Sequence, residues 1–262
     1  MYDTMNNGKI SIPLRYNVLG VNISAINMNQ ALEVIDGWIK NGHREYVVLT
    51  GAHGVIEMQD DRKLRDINNT AGMVTPDGMP NVWIGKLKGH RHVEKVYAPT
   101  LMMETFHLGK KQRYRHFLYG GKEGVAQILA DHIKSRYPGN EVVGTYCPPF
   151  RPLTENEKQT ISSEINNINP DIVWVGLGCP KQEFWMAEFR PLLEASVLIG
   201  VGAGFDFLAG ERPLAPKWIQ NSGFEWLYRL LSDPRHLWRR YVRIVPRFIL
   251  LNILELIGLR RA

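Results

Sequence analysis

Asp171-Ile172-Val173-Trp174-Val175-Gly176-Leu177-Gly178-Cys179-Pro180-Lys181-Gln182-Glu183 sets out the grammar of the whole chain: an apolar run, a glycine turn, then a proline-led helix start. A short unbroken apolar run between turn signals reads as a strand buried on both faces. Pro180 suits the first helical position, and the pattern from Pro180 to Leu193 is mainly helical. Downstream, Ser196 to Val201 is the last strand of this kind and ends in Gly202-Ala203-Gly204.

The same grammar runs upstream. His116 to Tyr119 predicts a strand, Gly120-Gly121 a turn, and Val125, Ile128, Leu129 and Ile133 a helical stripe that stops at Pro138-Gly139. Glu141 to Thr145 predicts a strand, and Thr154 to Ile168 a helix with Thr154 and Glu157 spaced as a capping box. Nearer the start, Asn17 to Ile23 predicts one strand, and Asn27 or Asn29 caps a helix through Ala31, Leu32, Ile35, Trp38 and Ile39. Glu45 to Thr50 is a strand closed by Gly51, followed by a helix through Val55, Ile56 and Met58 and a short one from Leu64 to Ile67. Gly72 to Thr75 is the next strand, ending at Pro76-Asp77-Gly78, and Val82, Trp83, Ile84 and Leu87 give a helical face up to Gly89.

Alternating strands and helices imply parallel βαβ units: a doubly wound, Rossmann-like α/β fold with a mainly parallel sheet. Ligands of such sheets bind beyond the carboxyl ends of the strands. Thr50, Asp77, Gly120-Gly121, Gly176 to Gly178 and Gly202 to Gly204 fall at those ends.

Composition narrows the class. At 262 residues the chain can bury a full core. Two cysteines, Cys147 and Cys179, are too few for a disulfide framework and fit a reducing cytoplasm. The polar leader from Met1 to Gly8 lacks the layout of a signal peptide. Net charge is +6, and it is unevenly placed: Lys and Arg balance Asp and Glu at 22 each through Gly210, whereas Glu211 to Ala262 holds 10 against 4. A basic tail calls for an anionic partner: lipid, nucleic acid or a phosphorylated substrate. We therefore divide the chain into a core, 1–210, and a basic helical C-terminal appendage, 211–262.

Asp77 follows an apolar strand and precedes Gly78, so its carboxylate belongs at the sheet edge. There it is either a helix N-cap or a general base that takes a proton from an attacking hydroxyl. The Gly120-Gly121-Lys122 turn offers backbone N–H groups to a phosphate, or serves turn geometry alone. Lys181 and Gln182 present a cation and an amide suited to a nucleotide diphosphate, or simply begin a surface helix. No Asp-x-Asp pair and no His/Cys cluster with ligand spacing occurs, so a metal and other cofactors are not expected, and Lys, Arg and backbone N–H groups are left to neutralise a leaving group.

In the tail, Asp233-Pro234 reads as a cap and first-turn proline. Arg235, Arg239, Arg243 and Arg247 then recur every fourth residue and, with Arg240, span one side. Leu237, Trp238, Tyr241, Val242, Ile244 and Val245 fill the other. Pro246 is expected to kink or end this helix. Phe248 to Leu259 is mostly apolar before Arg260-Arg261, yet reaches only ~18 Å as a helix against a hydrocarbon core of ~30 Å. It suits an anionic membrane interface, with packing on the body or a homo-oligomer contact as rivals.

These motifs together resemble the WecG/TagA/CpsF glycosyltransferase family from about Asn17 to Tyr241. The resemblance is carried by Thr75-Pro76-Asp77-Gly78 with Trp83, by Phe117 to Lys122, by Gly176 to Glu183 and by Gly200 to Gly210. Ala215-Pro216-Lys217-Trp218, Gly223 to Leu230 and Arg239-Arg240-Tyr241 complete it. It implies a metal-independent, inverting transfer from a UDP-sugar to a polyprenyl-diphosphate-linked acceptor at the cytoplasmic membrane face. Asp77 would be the base, with Thr50 nearby. Gly78, His53, Gly120, Gly121, Lys122, Gly178, Lys181, Gln182, Gly202 and Asp206 would line the substrates, and Arg212, Arg229 and Arg235 would meet the diphosphate. Many members carry Asn two residues after the threonine, where this chain has Ala52 and then His53, and Gly and Asp near Tyr97 to Thr100. Asp77-Gly78-Met79-Pro80 is more similar to the xanthan-type glucosyltransferase branch, leaving a glucose or N-acetylmannosamine type of donor open. A basic nucleic-acid-binding module is the rival reading, without a recognised reader motif; nucleic acid is therefore not an expected partner. A dinucleotide oxidoreductase is disfavoured by the missing GxGxxG.

Overall fold

The computed structural model describes residues 13–259. The leader Met1 to Gly8 and the Arg260-Arg261 pair lie outside the described residues. Six parallel strands form the main sheet: β3 (Glu45–Thr50), β4 (Met73–Pro76), β5 (Arg115–Gly120), β6 (Glu141–Tyr146), β7 (Ile172–Gly176) and β8 (Val197–Gly200), in the order β4-β3-β8-β7-β5-β6. The expected doubly wound α/β fold is present.

Two apolar layers cover the sheet. On one face Val48, Val74, Tyr119, Val173, Val175 and Leu198 pack under α2 (Ala52–Asp60), α3 (Arg62–Thr70), α7 (Glu155–Ile168) and α8 (Lys181–Phe189). On the other, Val47, Leu49, Leu118, Trp174 and Ile199 pack under α1 (Met28–Lys40), α5 (Ala98–Gln112) and α6 (Val125–Arg136). The caps follow the sequence: Asn27 with Gln30 starts α1, and Thr154 with Glu157 starts α7, each as a full capping box. His116 is part of this frame. Trp174 Nε1 donates to its Nδ1 at 3.1 Å and Nε2 faces Asn140 Oδ1 at 2.9 Å, while burial pushes its pKa down to about 4.

One expectation is corrected, one helix is added, and the alternatives at Pro246 are narrowed. Asn17 to Ile23 is not one strand but a two-stranded antiparallel hairpin, β1 (Arg15–Val18) and β2 (Val21–Ser24). Leu19 and Gly20 form its loop, both with positive φ, 54° and 84°, as a two-residue loop matched to strand twist requires. Residues 98–112, unassigned in the sequence reading, form α5 with Pro99 in its first turn. Pro246 does not end the last helix: α12 (Pro234–Leu256) continues through it. Proline cannot supply the N–H of that turn, and the burial of Ile244 and Phe248 on either side holds the helix together across the gap.

The C-terminal segment folds back on the body. After α9 (Gly204–Leu208), α10 (Lys217–Ser222) and α11 (Glu225–Ser232) lead into α12. Arg243 and Arg247 both bind Asp60 at the end of α2, at 3.0 and 2.5 Å. Glu255 accepts from the Leu19 backbone at 3.1 Å and from Lys88 at 2.8 Å, Lys88 lying just past α4 (Met79–Leu87).

Candidate active site

Asp77 stands one residue beyond the carboxyl end of β4, and the turn that places it is built from neighbouring backbone. Its N–H donates to Thr50 O on adjacent β3 at 3.1 Å, and Asn81 Nδ2 donates to the same carbonyl at 2.7 Å. Gly51 allows this approach, because a Cβ there would lie 2.7 Å from Asp77 O. Gly78 takes φ +138°, a conformation open to glycine, and it is Gly78 that occupies the N-cap of α4. The helix-cap reading of Asp77 is thereby set aside, and its carboxylate is free for other work.

Burial pushes the Asp77 carboxyl up to about 6, against the pull of the Arg229 and Lys95 charges, with Glu225 adding to the rise. Arg229 donates to Glu225 through Nη2 at 2.7 Å and Nε at 3.1 Å, and to Tyr97 Oη at 3.0 Å. Its guanidinium also lies 5.2 Å from the centre of the Phe207 ring. Lys95 pairs with the other Glu225 oxygen and sits 4.3 Å above the Tyr97 ring. These partners hold Arg229 above the ordinary arginine range and Glu225 below the carboxylate range, although burial opposes both. A carboxyl of raised proton affinity therefore feels the charges of two fixed cations.

Thr50 is buried, with its hydroxyl turned inward onto Asn68 Oδ1 at 2.8 Å, so its carbonyl rather than its hydroxyl serves Asp77. His53, on α2, lies 3.4 Å from Glu57, and burial together with Arg240 and Arg243 pushes it down to about 4. It is a neutral hydrogen-bonding group at neutral pH.

The glycine turns serve packing at close range. A Cβ at Gly120 would meet the Gly176 backbone at 2.9 Å, and one at Gly176 would meet the Phe205 ring at 2.8 Å. Gly121 N donates to Gly176 O at 3.0 Å, and Lys122 beyond it is exposed. Gly178 faces open space, and its N–H is taken by Gln182 Oε1 at 3.2 Å. Gln182 is buried rather than displayed: its amide also donates to Glu183 Oε1 at 3.1 Å, and its atoms lie beside Gly202. Lys181 is exposed, 4.5 Å over the Phe150 ring.

Of the three arginines expected at the diphosphate, Arg229 alone is among the groups acting on Asp77. Arg212 pairs with Asp206 at 3.3 Å, and Arg235 is exposed at the start of α12. Lys95, Glu225 and Tyr97 were not read as site residues. Their meeting spans 130 positions, from Lys95 to Glu225, and no local pattern announces it. Among the described residues, no three His, Cys, Asp or Glu gather to hold a metal ion, and no helix is long and apolar enough to cross a membrane.

Comparison with known proteins adds an independent line. The profile of the Glycosyl transferase WecG/TagA/CpsF family matches residues 16–262. The N-acetylglucosaminyldiphosphoundecaprenol N-acetyl-beta-D-mannosaminyltransferase of Bacillus subtilis (strain 168) is 30% identical over 195 residues, covering 74% of this chain and 73% of the relative. The protein of the same name from Bacillus spizizenii (strain ATCC 23059 / NRRL B-14472 / W23) is 27% identical over 204 residues, covering 78% and 77%.

Proposed function

The chain belongs to the WecG/TagA/CpsF family of glycosyl transferases, and from that premise we propose that it transfers a hexose from a UDP-sugar to a polyprenyl-diphosphate-linked saccharide, with inversion at the transferred carbon. In this reading Asp77 takes the proton of the acceptor hydroxyl as its oxygen bonds to the anomeric carbon. The bond from that carbon to the diphosphate breaks, and the electron pair leaves on the diphosphate oxygen. Arg229 and Lys95 are the cations placed to neutralise that charge. The two relatives, whose names specify a diphosphoundecaprenol-linked acceptor, support the acceptor class. The donor sugar is of the glucose or N-acetylmannosamine type, and the basic C-terminal segment brings the enzyme to the anionic inner face of the membrane as a peripheral protein.

The observation that carries this reading is the place of Asp77, one residue past the carboxyl end of β4 with its carboxylate released from the helix cap that Gly78 takes; burial there raises it to about 6. At pH 7.5 it is mostly ionised, yet it binds a proton on the order of a hundredfold more tightly than an ordinary aspartate, as a general base should. The test is a screen of UDP-glucose, UDP-N-acetylmannosamine, UDP-N-acetylglucosamine and UDP-N-acetylmannosaminuronate against a panel of prenyl-diphosphate-linked acceptors, with the wild type and Asp77→Asn. Transfer by the wild type and none by the variant is expected. Equal transfer by both would remove Asp77 from the chemistry.

A further inference from the structure

Glu225 is the most heavily committed carboxylate near the site. Oε1 accepts both Nε and Nη2 of Arg229, at 3.1 and 2.7 Å, while Oε2 accepts from Lys95. The Lys95 and Glu225 side chains are only 9% and 14% exposed, so this is not a solvated surface pair. Lys95 also donates to Gln220 O at 3.3 Å near the end of α10, and Arg229 reaches Tyr97 Oη at the start of α5. One carboxylate thus ties a core lysine to an arginine of the C-terminal segment.

We propose that Glu225 is a positioning residue for sugar transfer: it fixes Lys95 and Arg229 beside Asp77. Its effect on turnover rests on the sugar-transfer reading; its effect on Asp77 rests on the neighbouring backbone, where Val96 N–H donates to Pro76 O at 3.1 Å and so sets Lys95 next to the Asp77 turn. An amide cannot replace it. A glutamine would turn its NH2 toward either Lys95 or Arg229, setting donor against donor, and both cations would lose their counter-charge.

Charge accounting gives the role a measurable sign. The groups acting on Asp77 are Arg229 and Glu225 from α11 and Lys95 from the segment before α5; Tyr97 of α5 and Tyr241 of α12 bear on Arg229. With Glu225 present, one negative charge offsets two positive ones. Without it, both cations act on Asp77 unbalanced, its proton affinity falls, and it becomes a weaker base.

The experiment is a carbon-13 carboxyl titration of Asp77 by NMR in full-length wild type, Glu225→Gln and Glu225→Asp, with no substrate needed. The expected result is a midpoint about one unit lower in Glu225→Gln, roughly tenfold in proton affinity, and a midpoint near that of the wild type in Glu225→Asp, which keeps the charge. In parallel, kcat of Glu225→Gln should fall about tenfold and the acid limb of its pH profile should move with the NMR midpoint. An unmoved Asp77 midpoint in folded Glu225→Gln overturns the proposal and leaves Glu225 as a docking contact. If that variant does not fold, Lys95→Met decides: losing the cation should raise the midpoint by about one unit, and no change overturns the arrangement. A wild type that transfers no sugar would sink the sugar-transfer reading while leaving the titration to judge Glu225.

Discussion

The N–H of Asp77 donates to the carbonyl of Thr50 over 3.1 Å, joining the ends of β3 and β4 into one rigid turn. Asn81 Nδ2 binds the same carbonyl, so the Asp77 backbone is held through its own N–H on a carbonyl that Asn81 also fixes, while its carboxylate takes no part. That division explains how the site residue can be replaced without dismantling the sheet.

Asp77→Asn should therefore lower kcat by about 10²- to 10⁴-fold, the usual span for loss of a general base, and leave the fold intact. It should also raise stability at high pH. Burial pushes the folded carboxyl up to about 6 from 3.8, so the native state binds the proton more tightly. Ionisation in place then costs up to about 3 kcal/mol, fully felt above pH 6 and fading as pH falls toward 4. Thermal melts at pH 8 and pH 4 should show the variant several degrees more stable at the first and level with the wild type at the second.

A pH profile separates the two titratable groups at this edge. The acid limb of kcat/KM should lie near pH 6 and belong to Asp77, because His53 is held down to about 4. His53→Gln should leave that limb where it is. A limb that shifts with His53→Gln would transfer the assignment.

The arginines should rank by their partners. Arg229→Gln should reduce kcat/KM about a hundredfold, removing a multiply held cation from the leaving-group side. Arg235→Gln, exposed at a helix start, should stay within about threefold. Arg212→Gln should fall between them, since its guanidinium is already bound to Asp206. Steady-state kinetics on the three variants checks the order.

How much of this could be read from the residues depends on the range of the interaction that places them. Glu45–Thr50 and the Thr154–Glu157 capping box depend on neighbours a few positions away, and both appear as read. The Leu19-Gly20 turn hides inside an apolar run because a positive φ at leucine leaves no mark on composition. The Tyr97-Ala98-Pro99 start of α5 carries a first-turn proline, a signal that was present and could have found the helix. The place of Asp77 at the sheet edge follows from its position after a strand, whereas Lys95 and Glu225 meet only because α10 and α11 fold back. Helical periodicity also misplaced the faces of α12. It assumed one apolar side, and the helix has two, one packed on the core along Ile244, Phe248 and Leu251 and one exposed.

That second face decides how membrane binding should be tested. Trp238, Val242, Ile249, Ile253 and Leu256 are 48–65% exposed and fall within about 60° of one another around the helix, with Arg235 and Arg239 on their flank. Arg243 and Arg247 are engaged with Asp60 and have less to offer a lipid surface. Deleting Phe248 to Ala262 would confuse two effects, because Phe248 is 6% exposed in the core and its truncation to Ala alone should cost about 3 kcal/mol. The clean variant is Ile249→Ser with Ile253→Ser, which changes the exposed face and should leave the melting temperature unchanged. It should lose co-sedimentation with phosphatidylglycerol vesicles, while Arg235→Gln with Arg239→Gln should weaken binding roughly tenfold or more at low salt, each basic residue near an anionic surface being worth about 1 kcal/mol. Full retention of vesicle binding by the serine pair would mean that this face does not touch lipid.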